Sequence, residues 1–94
     1  MHMKGCVNMS KWKFTLPNSK ALRQAIEDED SDAILRQIVI AYEELSKILE
    51  EDMTSEIESV RDDIECQAFD EDSVNYQLSN LYDICDARKV WIEL

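Results

Sequence analysis

Apolar and polar residues alternate strictly along "KWKFTLP" (residues 11–17), with Trp12, Phe14 and Leu16 on one side and Lys11, Lys13 and Thr15 on the other. A period of two, rich in aromatic residues and stopped by Pro17, predicts a short half-buried strand. In "NSKALRQAIED" (18–28) the period becomes helical. Leu22, Ala25 and Ile26 fall on one stripe, and Asn18 or Ser19 is placed to cap a short helix. The strongest signal is "DAILRQIVIAYEELSKILEED" (32–52), where Ile34, Leu35, Ile38, Tyr42, Leu45, Ile48 and Leu49 recur at intervals of three and four. Val39 and Ala41 widen that face, as expected for the central helix of a bundle, with Ser31 or Asp32 as its cap.

In "MTSEIESVRDDIECQAF" (53–69), Ser55 and Glu58 are spaced as a capping box, and Ile57, Val60, Ile64 and Ala68 form a narrow stripe. "DEDSVNYQLSNLYDICDA" (70–87) offers Ser73 as N-cap and turns Val74, Leu78, Leu81, Tyr82 and Cys85 inward. "RKVWIEL" (88–94) alternates again, Val90, Ile92 and Leu94 against Trp91 and Glu93, and predicts a second strand. A lone two-stranded ribbon is marginal unless it packs on helices, so the two strands are expected to pair at one edge of the helices, in either direction. That pairing would bring Trp12 and Trp91 near each other. The expected fold class is mostly α (α+β): a four-helix compact domain with a small two-stranded ribbon formed by the N- and C-terminal strands.

Ninety-four residues with 45% hydrophobic content make one domain able to bury a modest core, and argue against disorder. "MHM" reads as a cloning remnant and "MSKWKF" from Met9 as a natural start, so 1–8 is set aside as remnant or disordered lead and 9–94 is the single acidic helical domain. One glycine (Gly5) and one proline (Pro17) imply connections built from helix caps rather than turns.

Charge changes the picture most. The chain has 21 acidic and 10 basic residues, a net charge of −11. Residues 1–24 carry five of the basic residues and no acid, while residues 25–94 carry every acid against Arg36, Lys47, Arg61, Arg88 and Lys89. Self-repulsion of this size weakens a fold, so the field serves either solubility or attraction of a basic surface. Direct binding to DNA, RNA or an anionic membrane is disfavoured, since those partners reward positive charge. The longest apolar run, "IVIAY" (38–42), is too short to span a membrane or form a signal peptide. Cys6, Cys66 and Cys85 are odd in number and lack C-x-x-C spacing, which fits reduced thiols in the cytoplasm of a host cell.

Catalytic and metal chemistry find little purchase. A calcium loop starting at Asp28 has Asp30 and Asp32 in place, but Ala33 stands where glycine belongs and Val39 where the closing carboxylate belongs. "DEDSVNY" from Asp70 fails sooner, at Val74. Zinc would need clustered Cys and His, and the only histidine is His2. Without a histidine in the domain, nucleophilic catalysis lacks its usual base. Carboxylates on exposed helices lack the cleft that acid–base work needs, and a single glycine precludes a phosphate cradle. The expectation is a protein without cofactor, metal or catalytic residues.

The acids themselves fall in three clusters at helix ends and flanks: Glu27, Asp28, Glu29, Asp30 and Asp32; Glu50, Glu51, Asp52, Glu56 and Glu58; and Asp62, Asp63, Glu65, Asp70, Glu71 and Asp72. With the third helix's stripe inward, Glu58, Asp62 and Glu65 form one flank and Glu56, Asp63 and Asp70 the other. Like charges three or four apart cost a helix a few tenths of a kcal/mol per pair, roughly. Arg61 is the one basic residue available there to relieve them. Glu50, Glu51 and Asp52 would end the second helix, where the macrodipole disfavours anions, whereas Asp70, Glu71 and Asp72 precede the fourth, where it favours them. If the fold gathers the clusters on one face, their spacing is comparable to that of backbone phosphates. Such a surface could occupy the basic groove of a nucleic-acid-handling protein and gain on-rate by steering.

In profile this short, acidic, mostly helical, cysteine-poor chain resembles the small inhibitor proteins of phages and mobile elements, anti-CRISPR and DNA-mimicking anti-restriction proteins among them. Its ending, "LYDICDARKVWIEL", looks like that of small phage-type proteins. The resemblance implies a target such as a CRISPR nuclease. The expected function is therefore a non-catalytic inhibitor bearing on a basic protein surface through the sixteen carboxylates above. The alternatives are a structural or assembly module acting as a homodimer or larger homo-oligomer, with Tyr42, Trp12 or Trp91 as anchors, and an immunity or antitoxin protein.

Overall fold

The computed structural model describes residues 12–93; Lys11 of the first strand, Leu94 of the second, the 1–8 lead and Cys6 lie outside the described residues. The elements run β1 (Phe14–Thr15), α1 (Ser19–Glu27), α2 (Ser31–Leu49), α3 (Thr54–Glu65), α4 (Glu71–Ala87) and β2 (Val90–Trp91). The mostly helical four-helix domain with a terminal ribbon is as the pattern predicts. Helix α2 is central. Ile34, Leu35, Ile38, Val39, Ala41, Tyr42 and Leu45 are all buried along it, and α1, α3 and α4 each pack on it.

The ribbon is parallel, with Phe14 opposite Val90 and Thr15 opposite Trp91. Flanking bonds extend it: Lys13 N–H donates to the Lys89 carbonyl at 2.7 Å and Leu16 N–H to the Trp91 carbonyl at 2.8 Å. The two tryptophans do meet, with ring centroids 5.3 Å apart and planes at 57°, a tilted geometry favoured by aromatic quadrupoles. The predicted inward row of Trp12, Phe14 and Leu16 does not hold. Leu16 is buried, but Phe14 is 41% exposed, because the paired segment is two residues long and the core reaches only its Leu16 end. In β2 the alternation survives: Val90 is buried, Trp91 exposed and Ile92 half-buried.

Helix boundaries differ from the pattern in an instructive way. The residue capping α2 is Asp30, whose carboxylate accepts from Ala33 N–H at 3.2 Å, not Ser31 or Asp32. Asp70, not Ser73, caps α4 and accepts from both the backbone and the hydroxyl of Ser73. The Ser55–Glu58 capping box is not made. Asp52 instead accepts from Thr54 N–H at 2.9 Å, one residue ahead of the N-cap Met53. In each case an aspartate further upstream reaches the free N–H groups first, and its charge also favours the positive helix terminus. Asn18 does precede α1, but its side chain makes no cap. Its amide donates to the Gln37 carbonyl and to Gln37 Oε1, tying α1 to α2.

Each helix also stops at a left-handed residue that is not glycine: Glu29, Glu50, Gln67 and Lys89, with φ between 53° and 60°. After α1, α2 and α3 the next N–H reaches five residues back (Asp30 to Ala25, Glu51 to Ser46, Ala68 to Asp63), the long bond of a Schellman stop. Helix α3 therefore ends at Glu65, short of the expected Ala68 and Phe69. Those two residues form the connection, and Phe69 packs on the core from there.

Two stability changes follow. Leu35→Ala, at a wholly buried position, is expected to lower unfolding free energy by about 2–5 kcal/mol in urea titration. Gln67→Gly is expected to raise it by roughly 0.5–1 kcal/mol, because glycine adopts the left-handed stop without Cβ strain.

Candidate functional site

The sixteen candidate carboxylates divide by what the fold does with them. Eight are engaged. Glu27 pairs with Arg23, Asp32 with Arg36 at 2.9 Å, and Glu51 with Arg88. Asp28 accepts from Gln24, Asp63 from Gln77, and Asp30, Asp52 and Asp70 serve helix starts. Glu29, Glu50, Glu56, Glu58, Asp62, Glu65, Glu71 and Asp72 make no ion pair or side-chain hydrogen bond with a described residue.

The engaged set explains how an acidic chain tolerates its charge. The Arg88 guanidinium, just past α4, grips Glu51 through both oxygens, with Nε at 2.7 Å. That hydrogen bonding holds Glu51 below the usual carboxylate range and pushes Arg88 up. Glu51 therefore does not confront the α2 macrodipole unaided, and it joins the ends of α2 and α4. Asp52 and Asp70 are likewise held low, by the hydroxyls and N–H groups of Thr54 and Ser73. Asp28, Asp30 and Asp32, three positions of the would-be calcium loop, point to different partners. Among the described residues no group of three or more His, Cys, Asp or Glu is arranged to hold a metal.

Placement follows from the helix directions. Helix α3 runs back along α2, with Arg61 reaching Glu43 at 3.2 Å, and α4 runs forward again until Arg88 meets Glu51. The first and third clusters approach at one pole, where Glu29 and Glu71 line the same cleft beside Ile26 and Ile34. Glu50, Glu51 and Asp52 lie at the far end of α2, a helix of 19 residues and so about 28 Å away. The two α3 flanks have separate fates. Glu58, Asp62 and Glu65 line one open surface with Ser55, Ser59 and Arg61. Glu56 and Asp63 turn toward α4, and Asp63 is spent on Gln77. The unengaged, exposed stripe is thus Glu58–Asp62–Glu65, stepping along about 10 Å of helix at 1.5 Å per residue.

Pattern reading missed Gln77, which is 2% exposed. Its position between Val74 and Leu78 and Leu81 lies on the apolar stripe of α4, and a polar residue at such a place is the signal that could have found it. Arg88, read as the start of a strand, is instead the partner of Glu51. Cys66 is exposed, Cys85 is buried, and neither forms a disulfide; burial pushes the Cys85 thiol up to about 12, which keeps it protonated and unreactive. No helix among the described residues is long and apolar enough to cross a membrane. Comparison with protein-family models, curated proteins and solved structures finds no match.

The capping aspartates give a pH signature. A carboxyl held below its unfolded value stabilises the fold above about pH 4, the unfolded range, and that contribution is lost as pH falls through the lower folded value. Asp70→Ala is therefore expected to melt below the parent at pH 7. The gap between the two melting temperatures should close toward pH 2–3, as read by circular dichroism.

Proposed function

We propose that this chain is a non-catalytic binding protein whose acidic surface occupies the basic, nucleic-acid-binding surface of a nucleic-acid-handling enzyme, a CRISPR nuclease being the kind of target implied. The observation that carries this reading is the Glu58–Asp62–Glu65 stripe. These carboxylates repel one another at helical spacing, serve no cap, and pair with no described cation. Eight of the other candidate acids are paired or serve helix starts. A stripe left open at a cost to its own helix fits a surface whose counter-charges come from outside, where complementary potential speeds encounter and fixes register. Glu29, Glu71 and Asp72 extend the negative field at the adjoining pole.

An assembly module is the second reading, and exposed apolar residues favour it. Phe14 and Trp91, 38% exposed, flank the ribbon, and Ile40 is 38% exposed on α2. A homo-oligomer would cover them, and its molar mass in solution would report it.

The discriminating experiment is capture from host-cell lysate at low and high salt, followed by competition with duplex DNA. Glu58→Lys, Asp62→Lys and Glu65→Lys together are expected to abolish capture of a nucleic-acid enzyme that the parent binds at low salt and releases at high salt. Retained capture by the triple variant, or capture insensitive to salt and DNA, would sink the mimic reading.

A further inference from the structure

The cleft between α3 and α4 has a chemistry distinct from the open stripe. Both helices lean on α2 with their backbones held apart, joined by the side chain of Gln77, leaving a cleft of about 320 Å³ lined by Tyr42, Ser55, Glu56, Ser59, Gln77 and Asn80, with Ile84 at its side. That is the lower limit of ordinary ligand sites, room for one side chain or a small polar molecule.

Two nearly inaccessible polar side chains meet there. Gln77 is 2% exposed, and its Nε2 donates to Ser59 Oγ at 3.1 Å and Asp63 Oδ2 at 3.0 Å. Both amide hydrogens are thereby spent, so the group has only its Oε1 acceptor left to offer. Tyr42 is 1% exposed, yet its hydroxyl makes no hydrogen bond with a described residue. The enclosed, unpartnered side-chain polar atom among the described residues is Asn18 Oδ1, so the Tyr42 hydroxyl is reached through the cleft it lines. Glu56, half-buried at the rim, has no hydrogen bond or ion pair of its own, and its field pushes the Tyr42 phenol further up than burial alone. Arg88, the cation whose field reaches Glu56, is already held by Glu51.

Ser55, Ser59 and Asn80 can donate as well as accept, but Glu56 and Gln77 Oε1 can only accept and the Tyr42 hydroxyl has no described partner, so these three could be met together by a cation with several hydrogens to give. We propose that the α3–α4 cleft receives one guanidinium group, with Glu56, Gln77 Oε1 and the Tyr42 hydroxyl accepting its N–H groups. A planar five-donor fork can meet a carboxylate and two neutral acceptors at once, where an ammonium would satisfy fewer of them directionally. Together with the reading above, on which this step rests for its source, the group belongs to an arginine of the basic partner. The open stripe would then supply long-range attraction and the cleft a buried anchor, the role arginine often fills at interface centres.

The test uses N-acetyl-arginine amide as probe, N-acetyl-citrulline amide as its uncharged isostere, and agmatine to separate a free guanidinium from a peptide-borne one, all followed by amide and side-chain NMR shifts of the full chain. The arginine probe should shift the Gln77 and Asn80 side-chain amides and the Tyr42 ring, and the citrulline probe should not. Agmatine binding as tightly as the peptide-like probe would assign a free metabolite as source; tighter binding of the latter would assign a protein side chain. Charge-assisted hydrogen bonds imply that Glu56→Gln weakens the probe on the order of tenfold. Tyr42→Phe, which keeps the ring packing, should weaken it by a smaller factor, and Glu93→Gln, an exposed charge at the ribbon, should leave it unchanged. Equal shifts with citrulline, no shift in the cleft, or equal losses from Glu56→Gln and Glu93→Gln would overturn the assignment. Because the stripe reversal and Glu56→Gln are read separately, partner capture that survives Glu56→Gln defeats the anchor while leaving the stripe reading standing.

Discussion

Helix α2 buries seven side chains, from Ile34 to Leu45, and each of the other helices closes over a different part of that surface. Apolar contact with α2 is what holds the molecule together, so each surrounding helix needs only one inward face. Helix α3 is the extreme case. Val60 alone is fully buried along it, with Ile57 and Ile64 half-covered. Most of its circumference is therefore free to carry charge. Helices in proteins draw most of their stability from such tertiary packing rather than propensity, which is why α3 can keep repelling carboxylates on its outer face.

The same constraint shapes the connections. With no glycine among the described residues, each helix ends on a left-handed Glu, Gln or Lys, a conformation that costs a residue with a Cβ roughly 1–2 kcal/mol. The acids offset part of this by acting where the next helix begins: Asp30, Asp52 and Asp70 receive free N–H groups, and Asp32, Glu56, Glu71 and Asp72 sit in first turns. Much of the negative charge at helix junctions is thus structural, and the part with no structural duty is correspondingly more informative.

The apolar periods at 22–26, 34–49, 57–64 and 74–85 made four helices and their inward faces legible, because three- and four-residue spacing leaves few alternatives once a broad stripe such as that of α2 is present. The ends were less legible. Ser31, Ser55 and Ser73 are sound caps by type, and nothing local says that an aspartate one to three residues earlier will take the free N–H groups. Phe14 was misplaced for a different reason, since alternation predicts a face but not whether a layer lies beneath it. Of the surface, the α3 wheel anticipated the Glu58–Asp62–Glu65 flank. The pairing of Glu51 with Arg88, separated by 37 residues, and the withdrawal of Asp63 by Gln77 depend on how helices dock. Such long-range partners decide which acids remain available, and they leave no trace in local spacing.

Splaying α3 and α4 over a common floor ties the two surface features together. Had the pair packed face to face, Gln77 Oε1 and the Tyr42 hydroxyl would have required internal partners, or apolar replacements, to avoid an unmet buried polar group. The gap removes that requirement at Tyr42 and places Glu56 at its rim instead of under a neighbouring helix. It also sets the two flanks of α3 to different tasks. One faces solvent with a row of unpaired carboxylates, whose influence extends about 8 Å at physiological ionic strength. The other borders the α3–α4 cleft, where half-buried Glu56 stands beside Gln77 and Tyr42. A partner with basic side chains would meet the first by diffusion and the second only on docking, so electrostatic attraction and close complementarity reside on adjoining faces of one short helix, which meet along Ser55 and Ser59.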